Sequence, residues 1–223
     1  MPKQINVSDS VSLIPSSFDD TNSSYSSVVS GYAATNGLTN HSSTTAARFN
    51  INTGSSATSY VYYNFDTSEI PAGATIDSVT CQCKASISST NSNRISARQA
   101  QLCTGTTTKG SAYTLANSTT AFSITAGSWT RAELDNLKIR FYVKRGTSNT
   151  TTTYYIAFYG ATVTINYSLN GTAYTVTATS AVQGITVSPS TEDILAGGEH
   201  TVRIDGASLD DYAVTDNDVD VTS

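Results

Sequence analysis

The chain has 223 residues, with 17 acidic residues against 12 basic ones and a net charge of -5 at pH 7. Only 13% of the residues are charged, while 38% are apolar and 13 are tyrosines, which is too apolar for a disordered chain and enough for one sizeable core. No apolar run reaches the about 18 residues of a membrane-spanning helix, and the acidic balance disfavours a phosphate-backbone binder. Thr, Val, Ile and Tyr are common relative to helix formers, which favours an all-β protein.

Residues 1–45 are rich in Ser, Asn, Gly and Tyr and predict long loops with short edge strands. We interpret them as the loop-rich N-terminal part of the first domain and as a candidate attachment segment. The N-terminal residues contain no apolar stretch of the length found in a secretion signal, so we expect folding in the cytosol.

Regular strand patterns begin at residue 46 and continue to residue 168. Apolar residues recur there at every second position, as in strands with one buried face. Such segments begin at Ala47, Val61, Ile76, Ile95, Phe122, Leu137 and Tyr155. In the last segment the alternate residues from Tyr155 to Tyr167 have one parity, so we expect them to share one face. The parity slips near Gln99, which indicates a bulge or a different register.

Polar turns separate these strands, and no helical pattern is long enough to join parallel strands. The one helical signal is the pair Thr130 and Glu133, which has the spacing of a capping box and predicts a single helical turn. About eight strands connected in this way predict an antiparallel β-sandwich over residues 46–168, and a jelly-roll-like arrangement is the one we favour.

The segment IPAGATIDSVTCQCKASI, residues 70–87, joins a turn to a strand with one apolar face. The apolar face consists of Val79, Cys81, Cys83, Ala85 and Ile87. Two cysteines on one face of one strand do not suit a disulfide, while Cys103 on another strand leaves a bridge to either of them as an alternative. We predict that Cys81 and Cys83 are reduced core residues.

The composition changes after residue 168, and we take residues 169–223 as the start of a second domain. Shorter alternating segments in this part predict an immunoglobulin-like sandwich. Because such a sandwich needs roughly 100 residues, we expect this domain to be incomplete at its C-terminal end.

Four segments of the first domain carry a family resemblance: FDTSEIPAGATIDSV, KGSAYTL, GSWTRAELDNLKIRFYVKRG and YYIAFYGATVTINYS. Together they resemble a β-sandwich domain of minor structural proteins in tailed bacteriophages, especially those of Gram-positive hosts, over about residues 10–168. Separately, GITVSPSTEDILAGGEHTVRIDG followed by VTDNDVDVTS resembles a bacterial immunoglobulin-like module, which is common in phage fibres, decoration proteins and adhesins.

The resemblance implies a virion structural protein without enzymatic activity or cofactor: a head fibre, a capsid decoration protein, or a tail or neck accessory protein that displays adhesion modules. It implies other virion proteins as partners, assembly in multiple copies as a homo-oligomer, and contact with a host surface glycan. Neither nucleic acid nor membrane insertion is expected. Such a protein folds in the host cytoplasm and is extracellular, within the virion, after lysis. The alternative class is a carbohydrate-binding module of a bacterial surface or secreted protein.

Aromatic side chains are the candidate binding residues, because flat apolar rings stack on sugars and anchor interfaces. The candidates are Trp129, Tyr60, Tyr62 and Tyr154, with Tyr155 beside the last of them. For Trp129, the only tryptophan, packing at the edge of the sandwich is the alternative.

A second pattern alternates basic and aromatic residues at one parity. Its members are Lys138, Arg140, Tyr142 and Lys144. A stripe of this kind suits nucleic acid or an acidic glycan. The alternative is the ordinary solvent side of a half-buried strand.

Asp216, Asp218 and Asp220 place carboxylates at alternate positions, and oxygen ligands of this kind suit calcium. The glycine and closing glutamate of an EF-hand loop are absent, so a solvated acidic strand face is the alternative. No nucleophile elbow, phosphate-binding loop or Cys/His metal spacing is present. We predict no catalytic residue, and these three aspartates are the only metal candidates.

Overall fold

The computed structural model describes residues 3–147, 152–177, 186–188, 191–195, 203–205, 215–216 and 219–220. Contacts within the chain define two units. The first is Val7–Leu169, and the second comprises Met1–Asn6 and Asn170–Ser223.

The described residues up to position 177 form strands and two short helical turns. The strands are β1 (Lys3–Leu13), β2 (Pro15–Phe18), β3 (Ser27–Val28), β4 (Ala47–Asn50), β5 (Thr58–Phe65), β6 (Thr75–Ile87), β7 (Ile95–Thr104), β8 (Thr107–Thr114), β9 (Ala121–Thr125), β10 (Leu137–Arg145) and β11 (Tyr155–Thr177). The helical turns are a 3-10 turn at Ala34–Gly37 and the α-helix α1 at Arg131–Leu134.

The strands of the first unit form two antiparallel sheets. The first sheet has the order β3, β4, β11, β6 and β9, and β1 also pairs with β11. The second sheet has the order β2, β5, β10, β7 and β8. Among the eight strands from β4 to β11, the first sheet therefore holds β4, β11, β6 and β9, and the second holds β5, β10, β7 and β8. This is the strand order of a jelly roll, and it confirms the predicted antiparallel sandwich.

One apolar core lies between the inner faces of the two sheets. Tyr63, Phe141 and Phe158 are fully buried in it, with ring centroids 4.6 Å apart for Tyr63 and Phe158 and 4.8 Å apart for Phe141 and Phe158. The Tyr63 hydroxyl donates a hydrogen bond to the Ala34 carbonyl at 2.7 Å, so this buried polar group is satisfied. Burial of these rings removes much apolar surface from water and stabilises the sandwich.

The predicted apolar face of β6 is confirmed. Its buried residues include Val79, Cys81, Cys83, Ala85 and Ile87. All three cysteines are free thiols, and burial raises the pKa of Cys81 from its ordinary value of 9.0 to about 12. Cys103 is opposite Lys138 in the second sheet, on the side away from the core-facing residue Leu102. The alternative bridge between Cys103 and β6 is therefore not formed.

The predicted single face of β11 is wrong for the first part of the strand. The core-facing residues are Ile156 and Phe158 before Gly160, and Ala161, Val163, Ile165 and Tyr167 after it. The register against β6 shifts between Phe158 and Gly160, and Gly160 has a φ of +140°. Because a bulge adds one residue and reverses the alternation, Tyr155 and Tyr159 lie on the outer side of the first sheet.

Two strands differ from the sequence pattern for reasons of position. β8 carries no apolar alternation because it is an edge strand with mostly exposed side chains. β1 spans 11 residues and is longer than the short edge strands that we expected in the N-terminal part. The slip predicted near Gln99 has its counterpart in a register shift between Ala100 and Leu102 against β8.

The predicted capping box is confirmed at the start of α1. The Thr130 hydroxyl accepts a hydrogen bond from the Glu133 N–H at 3.3 Å, and the Glu133 carboxylate accepts one from the Thr130 N–H at 2.9 Å. The helix ends after one turn, as expected.

The described residues of the second unit form antiparallel pairs. The strands are β12 (Thr186–Ser188), β13 (Thr191–Leu195), β14 (Arg203–Asp205), β15 (Thr215–Asp216) and β16 (Val219–Asp220). β12 pairs with β14, β13 pairs with residues 173–177 of β11, and β15 pairs with β16. The immunoglobulin-like assignment of residues 169–223 stays a prediction.

Candidate functional site

The outer side of the second sheet brings together two of the patterns identified in the sequence. In the pairing of β5 with β10, Arg140 lies opposite Tyr62, and Tyr142 lies opposite Tyr60. Directly opposite residues of an antiparallel pair point to the same side of the sheet. The residues between them on both strands fill the core, so these four side chains lie on the outer side. We call Tyr60, Tyr62, Arg140 and Tyr142 the tyrosine face.

The rings of the tyrosine face form one continuous aromatic surface. Tyr60 stacks on Tyr62 with ring centroids 6.3 Å apart, and its centroid is 5.2 Å from that of Tyr142. The guanidinium carbon of Arg140 lies 5.6 Å from the centre of the Tyr142 ring, which is within the range of a cation–π contact. Tyr60, Tyr142 and Arg140 are half-buried, so each presents part of its side chain to solvent.

Tyr62 is the buried member of the tyrosine face, with 4% of its surface exposed. The segment after β2 runs beside it: the Asp19 N–H donates to the Tyr62 carbonyl at 3.0 Å, and the Tyr62 N–H donates to the Ser23 hydroxyl at 3.0 Å. Burial raises the pKa of Tyr62, although the nearby Arg140 has the opposite effect. Tyr62 is therefore a neutral ring that supports its two tyrosine neighbours.

Arg140 is held in place and still has a free donor. Its Nη2 donates to Gln101 Oε1 at 3.1 Å, and Gln101 Nε2 donates to the Gly110 carbonyl at 2.7 Å. Its Nε is buried and has no hydrogen-bond partner in the described part of the chain. An arginine oriented in advance by its neighbours loses less conformational entropy on binding, and its planar head suits carboxylate oxygens.

Lys138, at one end of the basic stripe, forms an ion pair with Asp19. Burial by itself raises the pKa of Asp19, but the hydrogen bonds from Lys138 and Asn22 outweigh this effect, and the pKa is lowered. The charge of Lys138 is thus compensated within the unit. Lys144, at the other end of β10, is exposed, so Arg140 and Lys144 are the cations of the stripe that a partner can meet.

Two of the predicted binding residues, Trp129 and Tyr154, have buried rings with 6% and 5% exposure. The Trp129 indole N–H donates to the Ala126 carbonyl at 2.7 Å, and its ring belongs to the apolar core. Tyr154 accepts a hydrogen bond from Arg94 Nη1 through its hydroxyl at 3.0 Å. These contacts describe packing, and a binding role for either residue stays a prediction.

The acidic candidates belong to the second unit. Asp218 lies outside the described residues, and only the backbone of Asp216 and Asp220 is described, within β15 and β16. Among the residues that the structure describes, no three His, Cys, Asp or Glu side chains cluster in a way that suits a metal ion.

Sequence patterns do not show which strands are neighbours in a sheet, and the tyrosine face depends on that pairing. Alternation alone predicts that Tyr60 and Tyr62 share one side of β5 and that Arg140 and Tyr142 share one side of β10. It does not predict that β5 and β10 are neighbours, since they are far apart in the chain. Gln101, which orients Arg140, was missed because the slip in β7 hid the side on which it lies.

Comparison of this chain with protein families, curated proteins and solved structures finds no match. In the described part of the chain, no helix combines the length and apolar character needed to cross a membrane. The geometry of the tyrosine face and the family resemblance of the sequence are therefore the basis for a functional argument.

Proposed function

We propose that this protein is a structural protein of a bacteriophage particle, without catalytic activity, as a head fibre, a decoration protein, or a tail or neck accessory protein. Its jelly-roll unit attaches to another protein of the particle through the tyrosine face. The residues after 169 belong to a module displayed outward for host adhesion. A jelly roll agrees with the fold that the resemblance implies. Because one fold hosts many functions, the support for attachment comes from the tyrosine face.

The tyrosine face is the observation that carries this proposal. Tyrosine and arginine are enriched among the residues that dominate binding energy in protein interfaces. Here Tyr60, Arg140 and Tyr142 form one patch on adjacent strands, and their mutual contacts already restrict their side chains. The patch has cations at Arg140 and Lys144, which favour a partner surface that presents carboxylates.

The state of the cysteines supports the proposed compartments. All three thiols are free and buried, and burial raises the pKa of each one above its ordinary value. Protonated, inaccessible thiols are poor nucleophiles at neutral pH. A sandwich of this kind is suited to folding in a reducing cytoplasm and to remaining intact after release by lysis.

Assembly in multiple copies agrees with the size of the tyrosine face. Three rings and one guanidinium make a small patch, so a single contact is expected to be weak. Several copies on one particle raise the effective concentration of each next contact, and copy number then supplies the avidity. The same reasoning applies to the adhesion module.

The direct test is mass spectrometry of particles purified from a lysate of the host. We expect the chain in these particles at many copies each. The proposal fails if the chain is not detected in purified particles.

The role of the tyrosine face is tested by incorporation of variants into particles. Tyr142→Ala is expected to reduce incorporation about tenfold, because loss of an anchor ring costs about 1.4 kcal/mol or more. Tyr142→Phe retains the ring and is expected to be incorporated almost normally. Glu69→Gln, which removes an exposed charge in the segment between β5 and β6, is the control for a surface charge outside the face. Normal incorporation of Tyr142→Ala would overturn the assignment of this surface.

Carbohydrate binding is the second candidate function. Trp129 and Tyr62, two of the residues predicted to bind a sugar, are buried. A groove on the outer side of the first sheet, however, has the composition of a sugar site. That groove is the specific observation that favours carbohydrate binding as a second function.

A further inference from the structure

The bulge in β11 creates a groove on the outer side of the first sheet. Arg48 of β4, Ala157 of β11 and Ser86 of β6 lie side by side across three strands. Tyr155 and Tyr159 flank Ala157 along its strand, and Ala157 and Tyr159 are buried in a small cluster with Ala46, against which Tyr155 packs. Apart from Ala46, these residues bound what we call the Arg48 groove, which has a volume of about 300 Å³, at the lower end of the range for ligand pockets.

In the described part of the chain, Arg48 is a cation without a carboxylate partner. Its guanidinium carbon lies 4.0 Å from the centre of the Tyr32 ring and 5.1 Å from that of Tyr155. Its Nε is buried and has no hydrogen-bond partner among the described residues. Three other cations of this unit form ion pairs with carboxylates. Arg48 is thus oriented by two rings, and no carboxylate of the described residues forms an ion pair with it.

Next to the groove, Lys84 adds a second positive charge. Lys84 lies beside the groove, with its Nζ 5.1 Å from the centre of the Tyr159 ring and a hydrogen bond to the Ser43 carbonyl at 2.8 Å. None of the residues that line the groove is acidic, although the chain as a whole has a net charge of -5. A local excess of positive charge on an acidic protein favours an anionic ligand.

The remaining groups of the groove suit a sugar ring. Tyr155 is half-buried whereas Ala157 and Tyr159 are buried, so Tyr155 is the ring of the groove against which a sugar can pack. Hydroxyl and amide groups of Ser86 and Asn117 line the same space. A pyranose has an apolar face that packs on aromatic rings and hydroxyls that pair with such groups.

We propose that the Arg48 groove binds a saccharide that carries a carboxylate or a phosphate group. The charged group of the ligand lies against Arg48, and a sugar ring packs against Tyr155 on the side of Asn117. This site lies on the outer side of the first sheet and does not depend on the particle role, so binding of the saccharide by a chain absent from particles would leave the groove assigned.

The test is binding of the full chain to an array of oligosaccharides that bear uronic acid, sialic acid or sugar phosphate groups, each beside its neutral counterpart. We expect at least one charged saccharide to bind, and its neutral counterpart, such as the methyl ester of a uronic acid, to bind at least tenfold more weakly. The carboxylate and phosphate arms identify the charged group. Failure of every charged saccharide to bind, equal binding of the neutral form, or equal affinity for inorganic phosphate alone would each overturn the proposal.

Variants assign the binding to the groove. Arg48→Gln is expected to lower the affinity for the best saccharide at least tenfold, while Lys144→Gln, which removes an exposed charge on the second sheet, leaves it unchanged. Asn117→Ala alters an exposed residue, so it is expected to weaken binding severalfold with unfolding behaviour like that of the parent chain. Unchanged affinity in both Arg48→Gln and Asn117→Ala would overturn the assignment.

Discussion

Gly160 is the residue at which the first sheet changes from one alternation to the other. A Cβ at this position would lie 2.3 Å from the Asn40 carbonyl oxygen and 2.4 Å from the Thr39 carbonyl oxygen, and φ is +140°. The Thr39 carbonyl also accepts a hydrogen bond from the Ala161 N–H at 3.1 Å. A side chain at residue 160 is excluded both by backbone conformation and by space.

We predict that Gly160→Ala lowers the free energy of unfolding by about 1–3 kcal/mol, because the added Cβ strains the backbone and displaces two carbonyl groups. Urea unfolding measures the change. Gly73→Ala is the matched control, since a Cβ there meets nothing within 4 Å, and its effect is expected within about 0.5 kcal/mol. Equal effects of the two substitutions would contradict the requirement for glycine at position 160 of the bulge.

The ion pair of Asp19 and Lys138 predicts a pH dependence of stability. Because the pKa of Asp19 is lowered on folding, its contribution is present above its ordinary pKa of 3.8 and is lost as the pH falls through the folded value. Asp19→Asn is therefore expected to lower the free energy of unfolding by about 1.5–3 kcal/mol at neutral pH, and by less in acid.

Unfolding of Asp19→Asn and of the parent chain at about pH 7 and about pH 2 measures this difference. Asp20→Asn changes a neighbouring exposed carboxylate and is expected to leave the pH dependence as it is in the parent. A deficit of Asp19→Asn that is the same at both pH values would refute the role of the ion pair.

At the scale of elements, α1 and the residues before it cover one end of the apolar core. Thr130 and Glu133 form the capping box, and Lys109 pairs with Glu133 at 2.8 Å while its Nζ lies 5.4 Å from the centre of the Trp129 ring. The hydrogen bond from Lys109 lowers the pKa of Glu133. The cap, the ion pair and the indole thus hold this end together.

We predict that Thr130→Ala lowers the free energy of unfolding by about 1 kcal/mol, because the Glu133 N–H loses its acceptor. The fluorescence of Trp129, the only tryptophan, reports the transition because the ring leaves the core on unfolding. Thr106→Ala, in the exposed turn between β7 and β8, is the control. A change smaller than that of the control would speak against the capping box as a stabilising element.

Elements with a strong local signature could be predicted from the sequence, and those without one could not. β10 alternates cleanly along its length, and β6 does so from Val79 to Ala85, because one side of each is buried there. β8 lies at a sheet edge and has no such contrast. The alternation of β11 is clean but misleading. Before the bulge, Tyr155, Ala157 and Tyr159 lie on the outer side, yet they have the same parity as the core residues that follow it.

At the scale of the whole molecule, the thiols report global unfolding. Burial raises the pKa of Cys81 to about 12 and that of Cys103 to about 11, so the native chain has almost no reactive thiolate at pH 8. We expect an aromatic disulfide reagent to label no cysteine rapidly in the native chain and all three in denaturant. Rapid labelling of any one thiol under native conditions would contradict its burial.

The pattern of the chain was sufficient for the sandwich, the buried face of β6 and the capping box, because each depends on side chains close in sequence with a period of two or a spacing of three. The tertiary structure alone decided both candidate surfaces. Tyr60 meets Tyr142 because β5 pairs with β10, and Tyr155 and Tyr159 face outward because Gly160 lies against carbonyl groups of a distant segment. Strand pairing and bulges depend on contacts between residues far apart in the chain, and no local period of the sequence records them.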